Sequence, residues 1–257
     1  MINPIDMKRS NPPLYNQTYI HVGQGPVVIL LHGLFGNLKM WKPVIEALKE
    51  NYQVVVPRLP LFELPIEHTT VKHLTKVLHD FIEWNQLSDI TLVGHAIGGQ
   101  VALMYTNQYP QNVERLVLTS SAGLMEKSPL FDPRSEANSY HYVHDRVEEA
   151  FYNKQLVSDS FVDEIFMTVK NIPKRLTLGT FARSSQQTNV SSFLNRIDHP
   201  VLLVWGLDDK ISLPETALHF HDLLPNSEIK FIDQCGHLPM LEQSNLFNQY
   251  VREFLEQ

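Results

Sequence analysis

The chain has 257 residues, 43% of them hydrophobic and 19% charged, which allows between one and two domains with a sizeable core and excludes a disordered tail or a low-complexity fibre. Lys+Arg 21 against Asp+Glu 28 leave a formal net charge of −7. No cluster of basic residues exceeds a pair, so neither nucleic acid nor an anionic membrane surface is an expected partner.

The N-terminal stretch carries Pro, Asp and Asn where a signal peptide needs an apolar segment. Uninterrupted apolar runs reach only about five residues, against the roughly 20 that span a bilayer. The expectation is a soluble, cytoplasmic protein with a small-molecule substrate; oligomeric state is not legible. Val27–Leu31 reads as the first strand, followed by Tyr52–Val56, Ile90–Val93, Val113–Leu118, Val201–Trp205 and Ile229–Ile232. Several are apolar on both faces, as strands covered on both sides should be. Between them, Val71, Leu74, Val77, Leu78, Phe81 and Ile82 follow helical spacing behind a cap at Thr69 or Thr70. A second helix runs Ile97–Gln108 and stops before Pro110; a third, Leu246–Leu255, closes the chain. Strand–helix alternation of this kind predicts an α/β fold, with a mostly parallel sheet and helices on both faces.

One segment breaks the rhythm. From 123 to 195 no convincing strand occurs, and aromatics recur: Phe131, Tyr140, Tyr142, Phe151, Tyr152, Phe161, Phe166 and Phe181. Roughly seventy residues far exceed an ordinary connection of under about 15. The division is therefore a core of 1–122 and 196–257 with a helical insertion at 123–195.

Four loops carry the chemistry. Gly94-His95-Ala96-Ile97-Gly98-Gly99 runs from strand to helix with glycines around residue 96, the sterics of a nucleophile elbow. His32-Gly33-Leu34-Phe35-Gly36 follows the first strand, where a backbone N–H can face an oxyanion. Trp205-Gly206-Leu207-Asp208-Asp209 offers an acid, and Cys235-Gly236-His237-Leu238-Pro239 an imidazole. Elbow, acid and histidine in that order match the Ser, Asp, His order of one triad arrangement. All four loops follow strands, so they converge on the edge where open α/β sheets bind ligands.

On these motifs the chain resembles the α/β-hydrolase superfamily over nearly its whole length. The insertion falls where that superfamily carries its helical cap, and the tail from Cys235 through Glu242 to Asn248 resembles meta-cleavage-product hydrolases. Two departures stand out: Leu238 where those enzymes usually carry Trp, and Arg58 and Leu61 in place of a D-x-P-G-x-G-x-S run. The resemblance implies a nucleophile position at Ala96, a general base at His237 and an orienting carboxylate at Asp209, with Asp208 the fallback. No carboxylate follows Leu118 until Glu126, which argues against an acid placed earlier. The oxyanion hole would use the N–H groups of Ile97 and Leu34, or of Phe35. Phe35, His95 and Leu238 flank the substrate site, His95 chiefly as a packing or supporting residue. No metal or organic cofactor is implied.

Alanine at the elbow cannot attack a carbonyl, so the chain as written is expected to be nearly inert in acyl transfer. Either Ala96 replaces a serine, or alanine is native and the protein binds ligand or works without a covalent intermediate. The serine form is expected to hydrolyse a small, largely apolar ester. Carbon–carbon bond hydrolysis and a non-catalytic binding protein are the alternatives. Cys235 reads as a small buried hydrophobe. His141, His144, His219 and His221 read as solvated surface residues, Arg58 and Glu63 as surface residues, and His32 as a loop-shaping residue.

Overall fold

Alternate residues of a strand point to opposite faces, so a strand that is apolar throughout needs cover on both sides. A computed structural model, which describes residues 18–124 and 139–257 together with the backbone of 7–9, supplies that cover. Its strands are β1 (Met7–Arg9), β2 (Thr18–Val22), β3 (Val27–Leu31), β4 (Gln53–Pro57), β5 (Ile90–His95), β6 (Val113–Thr119), β7 (Val201–Gly206) and β8 (Ser227–Ile232). They form one eight-stranded sheet in the order β1-β2-β4-β3-β5-β6-β7-β8. Pairing is antiparallel from β1 to β2 and from β2 to β4, and parallel across the rest.

Helices fill both faces: α1 (Lys42–Leu48), α2 (Val71–Trp84), α3 (Ile97–Gln108), α4 (Tyr140–Glu149), α5 (Asp159–Lys170), α6 (Ile172–Gln187), α7 (Ser191–Leu194), α8 (Pro214–Leu223), α9 (Pro239–Glu242) and α10 (Ser244–Leu255). Ile29, Leu31, Leu92, Leu116, Leu203 and Trp205 face a core completed by α2, α3 and Phe220 of α8. Val28, Leu30, Val93, Val117, Leu202 and Val204 face the other, closed by α1, α10 and the apolar sides of α4 and α5. Each large side chain so buried contributes about 1.5–3 kcal/mol of transfer free energy.

Local signals explain the helix boundaries. Thr70, the second of the two expected caps, accepts from the His73 N–H at 3.1 Å and starts α2. Ser139, Ser158 and Asn171 cap α4, α5 and α6 in the same way. α3 ends at Gln108, before Pro110, as its spacing predicts. Some elements are not legible in the periodicity. β1 is a short edge strand and β2 a short strand between β1 and β4, α1 has Pro43 in its first turn, and α8 has a diluted apolar face. β8 extends back to Ser227 through polar residues that an edge strand tolerates. Between β6 and β7 the described residues are helical, in keeping with the strandless reading of that stretch; Glu126 and Phe131 lie outside the described residues. No helix among the described residues is long and apolar enough to cross a membrane.

Candidate active site

Register aligns the carboxyl ends of the central strands. Leu31 sits beside Gly94, His95 beside Thr119, Thr119 beside Val204 and Gly206 beside Ile232. The loops that follow these strands therefore meet along one edge of the sheet.

The tightest is the elbow. Ala96 is held at φ 51°, ψ −120°, a left-handed backbone that a non-glycine residue adopts only under constraint. Its carbonyl accepts from Gly99 (3.0 Å), Gln100 (3.3 Å) and Ala122 (3.0 Å), and its N–H donates to Thr119 (3.2 Å). Glycine is required around it because the backbones nearly touch. A Cβ on Gly94 would lie 2.5 Å from the Gly99 Cα, and one on Gly98 would lie 2.4 Å from the Leu31 carbonyl oxygen. Ile97 opens α3, so its N–H is a first-turn donor with no partner inside the helix.

The loop after β3 is shaped by His32. Its Nδ1–H donates to the Gly33 carbonyl (2.8 Å), while Nε2 accepts from the Leu59 N–H (3.0 Å). Both bonds need the neutral ring, and burial holds its pKa down to about 4. Leu34 and Phe35 are thereby presented to a cavity of about 760 Å³.

Asp209 and His237 come together across two loops. The His237 Nδ1 lies 3.0 Å and 3.2 Å from the two Asp209 carboxylate oxygens. Asp209 also accepts from the N–H groups of Ile211 and Ser212, both at 2.9 Å. Burial opposes its charge, yet the His237 ring, with the Ser212 N–H among the lesser donors, prevails and holds its pKa below the ordinary carboxylate value. The ring contacts are made by Asp209, while Asp208, partly exposed, joins the two loops through its backbone, its N–H donating to the Cys235 carbonyl at 2.9 Å.

His95 turns away from the role of a simple lining residue. It is 4% exposed, and its Nε2–H donates to the His237 carbonyl at 2.9 Å. The two rings lie 4.8 Å apart. Burial first, and the neighbouring His237 second, press its pKa down to about 3, so it stays neutral.

Ala96, Ile97, Leu34, Phe35, His95, His237 and Leu238 all line the same cavity, and Asp209 sits behind His237. Its roof comes from α4, α5 and α6, through Val147, Ile165 and Leu178. At its rim the Asn37 amide donates to both oxygens of Glu164 on α5, at 3.3 and 3.2 Å. The sequence reading did not single out this bridge, because no motif joins residues 127 apart. It also passed over Glu242, whose carboxylate gathers backbone N–H groups from Gly236, Tyr152 and Asn153; the tail motif contained it without showing a role.

The remaining candidates lie elsewhere. Arg58 and Glu63 form an exposed ion pair at 2.7 Å. Cys235 is buried, with its thiol pKa pushed up by desolvation. His219 and His221 sit on exposed parts of α8. On α4, His144 lies with Asp145 and Glu148 close enough for one ion to reach all three, but Lys154 already pairs with Glu148 at 2.8 Å.

Comparison with known proteins agrees with this architecture. The chain is 24% identical to an uncharacterized hydrolase of Bacillus subtilis (strain 168), over 95% of this chain and 94% of that protein. It is 27% identical to a 2-hydroxy-6-oxo-6-(2'-aminophenyl)hexa-2,4-dienoic acid hydrolase of Metapseudomonas resinovorans, over 92% and 86%. Among solved structures, an alpha/beta hydrolase enzyme from the metagenome of lagoon sediments at Mar Chica, Morocco, superposes with a TM-score of 0.78, 28% identity and 97% coverage of both chains. The family described by the alpha/beta hydrolase fold matches residues 26–244, which spans the elbow, both partner loops and the helical stretch between them; the chain belongs to that family.

Proposed function

We propose that this protein is built to hydrolyse a small, largely apolar ester or related carbonyl compound through a nucleophile at position 96, with His237 as base and Asp209 as its orienting carboxylate. The observation that carries the reading is the buried Asp209 carboxylate 3.0 Å from His237, at the cavity that Ala96 also lines. In a chain with serine at 96, the hydroxyl oxygen attacks the substrate carbonyl as its proton passes to His237. The oxyanion is met by the N–H groups of Ile97 and Leu34. The C–O bond then breaks, His237 returns the proton to the leaving alcohol, and an acyl-enzyme remains. His237 next takes a proton from water, the hydroxide releases the acid, and the serine recovers its proton. Ala96 removes the first step while leaving the pocket and the proton relay in place. The inserted helices act as a cap that supplies the apolar walls.

The test is Ala96→Ser, assayed on p-nitrophenyl acetate and butyrate. Activity should rise by roughly 10³-fold or more over the alanine chain and disappear again with His237→Ala. A folded serine variant inactive on a panel of short esters and vinylogous diketones would overturn the reading. The M. resinovorans relative favours a second reading, carbon–carbon bond hydrolysis; turnover of the diketones with none of the esters would select it. Tight ligand binding by the Ala96 chain, with no turnover after Ala96→Ser, would instead mark a binding protein.

A further inference from the structure

Glu242 ends α9 just beyond the His237 loop, half-buried and facing backbone rather than a cation. Its Oε1 accepts from the Gly236 N–H at 2.8 Å. Its Oε2 accepts from the N–H groups of Tyr152 at 2.8 Å and Asn153 at 3.2 Å. One carboxylate thus joins the residue before His237 to the turn that follows α4. Directly beside it, the His237 N–H donates to the Ala150 carbonyl at 2.8 Å. The two segments meet backbone to backbone: a Cβ on Gly236 would lie 2.6 Å from the Ala150 oxygen and 3.0 Å from the Tyr152 nitrogen. Ala150 and Phe151 also line the cavity.

These contacts have a directional consequence. Hydrogen bonds to an ionised acceptor are about twice as strong as neutral ones, and losing the acceptor strands the buried Gly236 N–H and releases the exposed turn at Tyr152 and Asn153 from it. The His237 imidazole has its own partner in Asp209, and its carbonyl is held by His95. What fixes the height of that loop against the inserted helices is the Glu242 carboxylate together with the bond to Ala150.

We infer that Glu242 is a positioning residue, which acts through Gly236 to hold the His237 imidazole on Asp209 and ties that placement to the helices roofing the cavity. Burial leaves its pKa above the ordinary carboxylate value, the backbone donors of Asn153, Gly236 and Tyr152 offsetting only part of that rise; the placement rests on the hydrogen bonds themselves. Contact of a ligand with the turn at 150–153 is then felt at the base two bonds away. The positional claim concerns the imidazole of the chain as it stands; only its kinetic consequence rests on the hydrolytic function proposed above.

Proton NMR of the Ala96 chain tests it without turnover. The His237 Nδ1–H bonded to Asp209 should give a downfield resonance that Asp209→Asn abolishes. Glu242→Gln keeps the size of the side chain but replaces an acceptor with a donor. It should shift or broaden that resonance and speed hydrogen exchange at Gly236, Tyr152 and Asn153 by about 10-fold or more, while the amides of β3, β5 and β6 keep their protection. An unchanged His237 resonance in a folded Glu242→Gln chain overturns the inference. Should that variant fail to fold, Gly236→Ala, whose methyl group would press on the Ala150 oxygen and on Glu242 Oε1 and so push the segments apart, must disturb the same resonance; if it does not, the inference fails. In the Ala96→Ser background, Glu242→Gln should lower kcat by about 10- to 100-fold with KM for a short ester little changed, and an unchanged kcat also counts against it. A serine chain with no activity but a disturbed resonance would sink the hydrolytic reading and leave this one standing.

Discussion

At residue 96 the backbone is strained while the side chain is inert. A left-handed conformation of this kind costs on the order of 1–3 kcal/mol and persists only where the surroundings over-determine it; here the bonds of the Ala96 carbonyl to Gly99, Gln100 and Ala122 do so. The proton relay proposed beside it depends on Asp209 just as locally. In the Ala96→Ser background, Asp209→Asn should reduce kcat by about 10²- to 10⁴-fold, measured on p-nitrophenyl butyrate, because an amide can hold the ring but cannot stabilise the imidazolium. His32 makes a prediction about acid. Its pKa falls from the ordinary 6.5 to about 4 on folding, so between those values the unfolded chain binds a proton that the native chain refuses. Its contribution to stability is therefore complete above pH 6.5 and is lost as the pH falls towards 4, at about 1.4 kcal/mol per pH unit. Denaturation midpoints should drop between pH 6.5 and 5, and His32→Asn should be less stable at pH 7 but flatten that slope. An equally steep slope in the variant would refute the assignment.

At the scale of elements, the junction of β5 with α3 concentrates the constraint. α3 is buried along most of its length, and its first turn passes within contact of the end of β3. Gly98→Ala places a methyl group against a backbone oxygen that cannot rotate away. It should destabilise the protein by about 1–3 kcal/mol in urea unfolding, whereas Gly179→Ala, with nothing near its Cβ, should cost nothing and gain helix propensity. Equal midpoints for the two variants would contradict the close approach. The same contrast explains which elements the sequence made visible. α2 and α3 carry a strong period or an unambiguous proline stop, while β2 and α1 owe their existence to neighbours: β2 to pairing with β4, α1 to a core shared with α10.

For the molecule as a whole, the cavity is a property of two layers brought face to face. Loops at the sheet edge form its floor, and α4, α5 and α6 its roof, with Leu178 buried between. Leu178→Trp should fill that space. In the Ala96→Ser background it should lower kcat/KM for p-nitrophenyl octanoate by about 10-fold or more relative to the acetate, and equal losses for both esters would mean the long acyl chain lies elsewhere.

The α/β class, the strand–helix order, the helical character of the described residues between β6 and β7 and the positions of the elbow, acid and histidine loops were all legible in the sequence. Each rests on short-range chemistry: apolar periodicity, capping side chains, and glycines where backbones must nearly touch. The tether from His95 to the His237 carbonyl, the Asn37–Glu164 bridge and the hydrogen bonds gathered by Glu242 came only from the tertiary structure. Most of these contacts join residues far apart in the chain, to a backbone group common to every residue or, at Asn37 and Glu164, to a polar side chain that no motif distinguishes, so no spacing or composition marks them. The alanine at 96 belongs to neither set. Its place in the fold is dictated by the glycines around it, and its missing hydroxyl is the reason the chemistry of the site has to be tested by restoring one.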